Sequence, residues 1–277
     1  MRLSPDFRFS QNNLQDFLDC PRRFELRYIL RQKWPAIQSE PVIEQEFIME
    51  EGRLFHQMVQ QYVTGLGSDT ILDNASSPDL IRWWSNLIQY DPFNNLPSQR
   101  FAEQSLSAPL AGFRLIAQYD LLAIAPGKQA VIIDWKTSAK KPSHNVLNNR
   151  LQTRVYRYLL VAAGEHLNNN ARVDPGQVEM VYWFTEFPAE PERFSYDRDQ
   201  FDADREYLSK LIGDIARLNP GQFYLTPDEG KCRYCVYRSL CDRGEKAGDW
   251  KDQESEAVPA SMDDAGLGFE QIGEIEF

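Results

Sequence analysis

Ala130-Val131-Ile132-Ile133-Asp134-Trp135-Lys136-Thr137 is a short apolar, β-branched run that ends in an acid, an aromatic and an amine. It reads as a buried strand with chemistry at its carboxyl end. Side chains alternate along a strand, so Asp134 and Lys136 share one face and Trp135 takes the other. Upstream, Pro126-Gly127-Lys128 marks a turn, and Leu115 to Ala125 reads as the partner strand, which places Asp120 opposite Asp134. Two carboxylates converging on one point repel each other. A hard divalent cation such as Mg2+ or Mn2+ relieves that repulsion, because it takes oxygen ligands and supports hydrolytic chemistry. The amine of Lys136 is placed to orient water and to offset charge that builds on a phosphate.

Working outward, the spacing predicts helices near 10–32, 44–64, 77–90, 145–164 and 198–218, and strands near 100–107, 113–125, 129–136 and 177–186. Helices before and after a central sheet imply an α/β fold. At 277 residues, with 42% hydrophobic and 12% aromatic content, the chain can bury a sizeable core. Trp83-Trp84 and the aromatics of Val181-Tyr182-Trp183-Phe184 read as packing rather than as a base-stacking platform.

Three further motifs accompany the acid-x-lysine strand. Phe9 to Tyr28 opens with Ser10 as a helix N-cap, then Leu14, Phe17 and Leu18 at helical spacing, and continues through Cys20-Pro21-Arg22-Arg23-Phe24. Gly52-Arg53-Leu54-Phe55-His56 sets a histidine one turn after a glycine. Gln152-Thr153-Arg154-Val155-Tyr156 puts Gln152 and Tyr156 on one helix face. An acid-x-lysine triplet also occurs on surface salt-bridge strands, and each helix alone would pass as ordinary packing. Together and in this order, over residues 9–241, they resemble the PD-(D/E)XK nuclease superfamily and its RecB-like branch. One departure is Ala117 in Ala117-Gln118-Tyr119-Asp120, where the family often has glycine.

Cysteine arithmetic adds an independent signal. Cys20 stands 212 positions before Cys232, Cys235 and Cys241, a C-x2-C-x5-C trio. No secretory signal or apolar span opens the chain, so a cytoplasmic setting is expected, in which four thiols suggest metal rather than disulfides. Zinc sites usually pair two knuckles, whereas the one-plus-three arrangement is similar to the [4Fe-4S] clasp of AddB-type and CRISPR-associated nucleases. Zinc stays open as the alternative, with two disulfides behind it.

The resemblance implies a restriction-endonuclease-like core, a central mixed sheet flanked by helices, its ends clasped by the four-cysteine cluster. It implies that His56, Asp120 and Asp134 hold Mg2+ or Mn2+, that Lys136 assists the attacking water, and that Gln152 and Tyr156 position the substrate backbone. Glu103 matches a family acid less closely. The implied activity is a metal-dependent DNA nuclease acting on DNA ends or single strands in repair, recombination or CRISPR-type processing. A non-catalytic DNA-binding or scaffold subunit of a helicase-nuclease complex is the alternative, against which the complete acid and lysine set argues. No G-x-x-x-x-G-K-[ST] loop is present, so any unwinding would come from another protein.

Net charge is −11, which opposes binding to a polyanion. Residues 244–277, however, hold ten acids against two lysines, so −8 of that charge lies there. Division into a nuclease domain, 1–243, and an acidic, disordered tail, 244–277, follows. The apolar tip from Gly266 to Phe277 suits docking to a helicase or repair partner as well as it suits an inert tail. Arg22, Arg23, Arg27, Arg31 and Lys33, and then Lys136, Lys140, Lys141, Arg150, Arg154 and Arg157, offer phosphate contacts without sequence readout. No membrane partner is expected.

Overall fold

The computed structural model describes residues 3–33, 40–233 and 235–244. The proposed tail therefore lies outside the described residues, apart from Gly244. In chain order, β1 (Arg8–Phe9), α1 (Gln11–Asp19), α2 (Pro21–Phe24) and a π-helical turn (Glu25–Ile29) precede α3 (Glu40–Val63), α4 (Ser68–Asp73) and α5 (Pro78–Tyr90). The antiparallel strands β2 (Gln99–Leu110), β3 (Phe113–Ala125) and β4 (Gln129–Lys136) follow. Then come α6 (His144–Asn148), α7 (Leu151–Ala163), β5 (Val178–Phe184), β6 (Glu192–Ser195) and α8 (Arg198–Arg217).

The sheet is mixed. β4 pairs β5 in parallel and β1 pairs β3 in parallel, while β2–β3, β3–β4 and β5–β6 are antiparallel. β2 runs along the whole length of β3, so β1 and β4 must share the other edge of that strand. β4 takes Leu121–Ala125 and β1 takes Arg114 and Leu115. Asp120 lies in the interval between them, where the edge of β3 carries no ladder partner on that side.

Helices cover both faces of the sheet. On one face Leu122, Ile132 and Tyr182 pack with Leu14 of α1, Val155 and Leu159 of α7, and Leu208 and Ile212 of α8. On the other, Leu121, Val131, Ile133, Trp135 and Trp183 pack with Phe55 and Val59 of α3 and with Leu80, Trp83, Trp84 and Leu87 of α5. Trp83, Trp84, Trp135 and Trp183 are thus core residues. The architecture is α/β, as helices before and after a central sheet imply. No helix among the described residues is long and apolar enough to cross a membrane.

The expected helix 10–32 is broken at Cys20. Ser10 caps α1 reciprocally with Asn13, and Cys20 then turns extended at φ −161° and ψ 106°. Pro21 forces this, because the proline ring crowds a helical preceding residue, while its fixed φ suits the first position of α2. Asp16 of α1 gathers the segment: its carboxylate accepts from Arg27 at 2.8 Å and from the Tyr28 hydroxyl at 2.9 Å, and pairs with Arg23 at 2.9 Å. Asp16→Ala removes three contacts of a buried carboxylate at about 1 kcal/mol each, leaving Arg23 paired with Asp19, and so costs about 3 kcal/mol. The melting temperature followed by circular dichroism should fall by roughly 6–12 °C.

Candidate active site

β4 delivers Asp134 and Lys136 side by side, as period-two alternation requires. Lys136 Nζ lies 2.7 Å from Asp134 Oδ2, and both side chains are buried. The second oxygen of Asp134 accepts from Gln152 Nε2 of α7 at 2.5 Å. Gln152 is steadied in turn by the Tyr182 hydroxyl on β5, 3.4 Å from its Oε1, and that hydroxyl lies 2.8 Å from Thr153 Oγ1. Burial, and next the negative charge of Asp134, push the Tyr182 phenol well above its usual range, so it stays neutral.

Asp120 meets this group from the neighbouring strand, with Trp135 N–H donating to its Oδ2 at 2.9 Å. Its Oδ1 faces His56 Nδ1 at 3.4 Å. A third ligand-bearing side chain joins them. His56, Glu103 and Asp120 each present a ligand atom, all within 4.8 Å of one another.

This convergence depends on an irregularity shared by two strands. Leu115, Ala117 and Tyr119 belong to the same core cluster as Leu122 and Ile124, so the alternation of β3 slips by one residue across Asp120. The facing residue in β2 is Glu103, between the paired positions Ala102 and Gln104, and its φ is +52°. That left-handed conformation is strained for a side chain larger than glycine, and such strain concentrates at functional sites. Because of the slip, a carboxylate on β3 and one on β2 both reach the histidine of α3, which packs on the opposite face from α7. Gly52 supports the approach: a Cβ there would stand 3.0 Å from Thr137 Oγ1, so glycine lets α3 run close to the end of β4, one turn before His56.

Burial would raise the Asp120 carboxyl, but His56, the Lys136 ammonium and the Trp135 N–H outweigh it and hold it below its ordinary value. Glu103 accepts from Gln118 Nε2 at 2.5 Å. One imidazole and two ionisable carboxylates form a donor set suited to a hard divalent cation. The residues therefore fit Mg2+ or Mn2+, with His56, Glu103 and Asp120 as the nearest holders and Asp134 engaged by Lys136 and Gln152.

Sequence reasoning thus placed His56, Asp120, Asp134, Lys136 and Gln152 in one neighbourhood, and the structure brings them there. It ranked Glu103 lowest, yet Glu103 sits in the tightest cluster. Tyr156 is 5% exposed and packs at a tilt against Tyr119, their ring centroids 4.8 Å apart, within the core rather than on an open face. Tyr182 and Thr153 were missed as site residues, since a strand aromatic and a helix threonine carry no distinguishing pattern.

The basic residues look different in three dimensions. Arg22 pairs with Glu25, Arg23 with Asp16 and Asp19, and Arg27 with Asp16. Lys141 pairs with Glu190 and Glu192, Arg154 pairs with Asp204, and Arg157 is buried, donating to the backbone oxygens of Thr153 and Ser195. Most of the cations counted for phosphate binding are thus engaged internally.

At the far end of the chain, Cys20, Cys232, Cys235 and Cys241 line one cavity together with Arg23, Lys231 and Arg238. All four are free thiols. Burial raises the pKa of Cys232, Cys235 and Cys241. Lys231–Asp19, 3.3 Å, and Arg22 N–H to Tyr224 O, 3.0 Å, tie the same two chain segments.

Among solved structures, a protein of Eubacterium rectale assigned as a candidate exonuclease shares the fold, with a TM-score of 0.52 and 10% identity over 83% of this chain and 91% of that one. The protein SSO0001 aligns over 86% of this chain and 87% of that one, with a TM-score of 0.40 and 14% identity. No curated protein matches by sequence. The family model of the PD-(D/E)XK nucleases, in contrast, matches from residue 8 to residue 242, spanning every side chain of the site and all four cysteines. The chain belongs to the PD-(D/E)XK nuclease superfamily.

Proposed function

We propose that the protein is a Mg2+- or Mn2+-dependent DNA nuclease of the RecB-like, iron–sulfur branch, acting without sequence preference on DNA ends or single strands. The observation that carries this reading is the convergence of His56, Glu103 and Asp120 within 4.8 Å, next to the buried Asp134–Lys136 pair. A divalent cation bound by these residues supplies charge neutralisation at the phosphate and lowers the pKa of water. Lys136 orients the attacking water and offsets negative charge as the phosphorus–oxygen bond breaks. Gln152 holds the Asp134 carboxylate at a set angle, and the Tyr182 hydroxyl fixes Gln152 in turn. Cys20, Cys232, Cys235 and Cys241 would hold the [4Fe-4S] cluster, with Zn2+ as the rival occupant.

Internal pairing of so many arginines and lysines favours weak, salt-sensitive binding and help from a DNA-delivering partner such as a helicase, for which the tail is one docking element. The test is digestion of end-labelled single- and double-stranded DNA by anaerobically purified protein. Products shortened in Mn2+ or Mg2+ and unchanged in chelator are expected. Intact DNA with folded protein under every divalent cation would overturn the reading and return the scaffold alternative.

A further inference from the structure

Arg150 occupies the N-cap of α7, two residues before Gln152, at φ −63° and ψ 144°, and makes no capping bond. The position is unfavourable for it on two counts. N-caps favour short side chains that accept from the first helical N–H groups, and the positive end of the helix repels a cation. Its Nη2 is moreover buried with no hydrogen-bond partner among the described residues. A buried donor without an acceptor is destabilising, and native structures seldom keep one without a reason.

The surroundings supply that reason. The charge of Arg150 acts on the Tyr182 hydroxyl together with those of Asp134 and Lys136. That hydroxyl contacts Gln152, two residues after Arg150 on the first turn of the same helix, and Gln152 in turn holds Asp134, so Arg150 sits at the end of α7 that serves the proposed cleavage site. Its neighbours on the helix are engaged elsewhere, Arg154 with Asp204 and Arg157 with backbone oxygens. Arg150 as a whole is only partly buried, so its guanidinium can turn to an incoming anion, which would give the orphan donor an acceptor and neutralise a cation at a helix N-terminus at once. Building on the nuclease reading, we infer that Arg150 is a substrate-binding residue whose guanidinium grips a phosphate of the nucleic acid next to the cleaved bond. The planar fork of arginine suits two phosphate oxygens better than a lysine would.

Arg150→Gln and Arg150→Lys test this against the wild-type protein with Mn2+ and short single strands carrying either a 5′-phosphate or a 5′-hydroxyl. For Arg150→Gln, KM should rise roughly tenfold while kcat changes less, and Arg150→Lys should recover part of the loss. In an Asp120→Asn background that blocks turnover, fluorescence anisotropy should show the slope of log Kd against log salt shrinking by about 0.7, the value of one lost phosphate contact on a single strand. The melting temperature of Arg150→Gln should equal or exceed that of wild type, because the buried orphan donor is gone; a purely structural arginine would lower it. An equal defect on both oligonucleotides assigns an internal phosphodiester, and a defect confined to the 5′-phosphorylated strand assigns the terminal phosphate. Unchanged KM and salt slope in Arg150→Gln, beside an active wild type, overturn the inference and leave the nuclease reading standing. A wild type that neither cleaves nor binds DNA overturns both.

Discussion

Asp120→Asn is expected to lower DNA cleavage at saturating Mn2+ by on the order of 10^3-fold, while the melting temperature at neutral pH falls by only a few degrees. The loss follows from what Asp120 touches: His56 on one oxygen, the Trp135 N–H on the other, and Glu103 within the same 4.8 Å cluster. An asparagine keeps the shape and an acceptor for Trp135, so the sheet has no reason to open. It removes one negative charge, and with it both a cation ligand and the favourable charge contacts with His56 and Lys136. A carboxyl held below its ordinary value contributes stability at neutral pH, so the variant should be slightly less stable while its activity falls far more. Glu103→Gln should lower cleavage in the same way, and it is the sharper case, because the strained φ of +52° at this residue is retained without benefit if its carboxylate has no role. Single-turnover cleavage of a labelled oligonucleotide and a thermal melt on the same preparations decide the matter. Undiminished cleavage by either variant would remove these two carboxylates from the chemistry.

Cys20→Ser and Cys232→Ser should each cost the protein its colour and much of its stability. Thiolate-ligated iron–sulfur clusters absorb broadly on the order of 400 nm, so anaerobic wild type should be brown and both variants pale. Cross-linking two residues 212 positions apart would by itself stabilise the fold by about 5 kcal/mol through loss of unfolded-state entropy. Metal-binding energy adds to that, because the four thiols meet only in the folded chain. Weaker ties between the same segments remain in the variants, such as Lys231–Asp19 and the Tyr237 hydroxyl to Gln32 O, 3.0 Å. These should keep the sheet folded at low temperature, while aggregation begins many degrees earlier than in wild type. Iron and zinc analysis beside the absorbance separates the occupants: a colourless wild type with one tightly held zinc per chain decides for zinc, and one with neither metal removes the clasp.

Local patterns settled much of the architecture. β3 and β4 run over 113–125 and 129–136, the ranges their apolar, β-branched runs and the Pro126-Gly127-Lys128 turn predict, and α8 differs by one residue at its end. These elements obey short-range rules, in which composition and turn chemistry agree. β1 and β6 escaped because strands of two and four residues are too short to show a period. α4 escaped for the same reason. The Asp134–Lys136 pair was legible because two residues on one strand face must be neighbours whatever the rest of the chain does.

Tertiary structure alone decided the rest. The slip of β3 at Asp120 and the left-handed backbone at Glu103 leave no trace in hydrophobic periodicity, yet they bring Glu103, Asp120 and His56 together across the sheet. The pairing of Arg154 with Asp204, fifty residues apart, changed a surface that composition had presented as basic. Whether a charge faces solvent or a partner depends on which distant segment packs against it, and that is determined by the summed burial of both core clusters, not by the residues beside it in the chain.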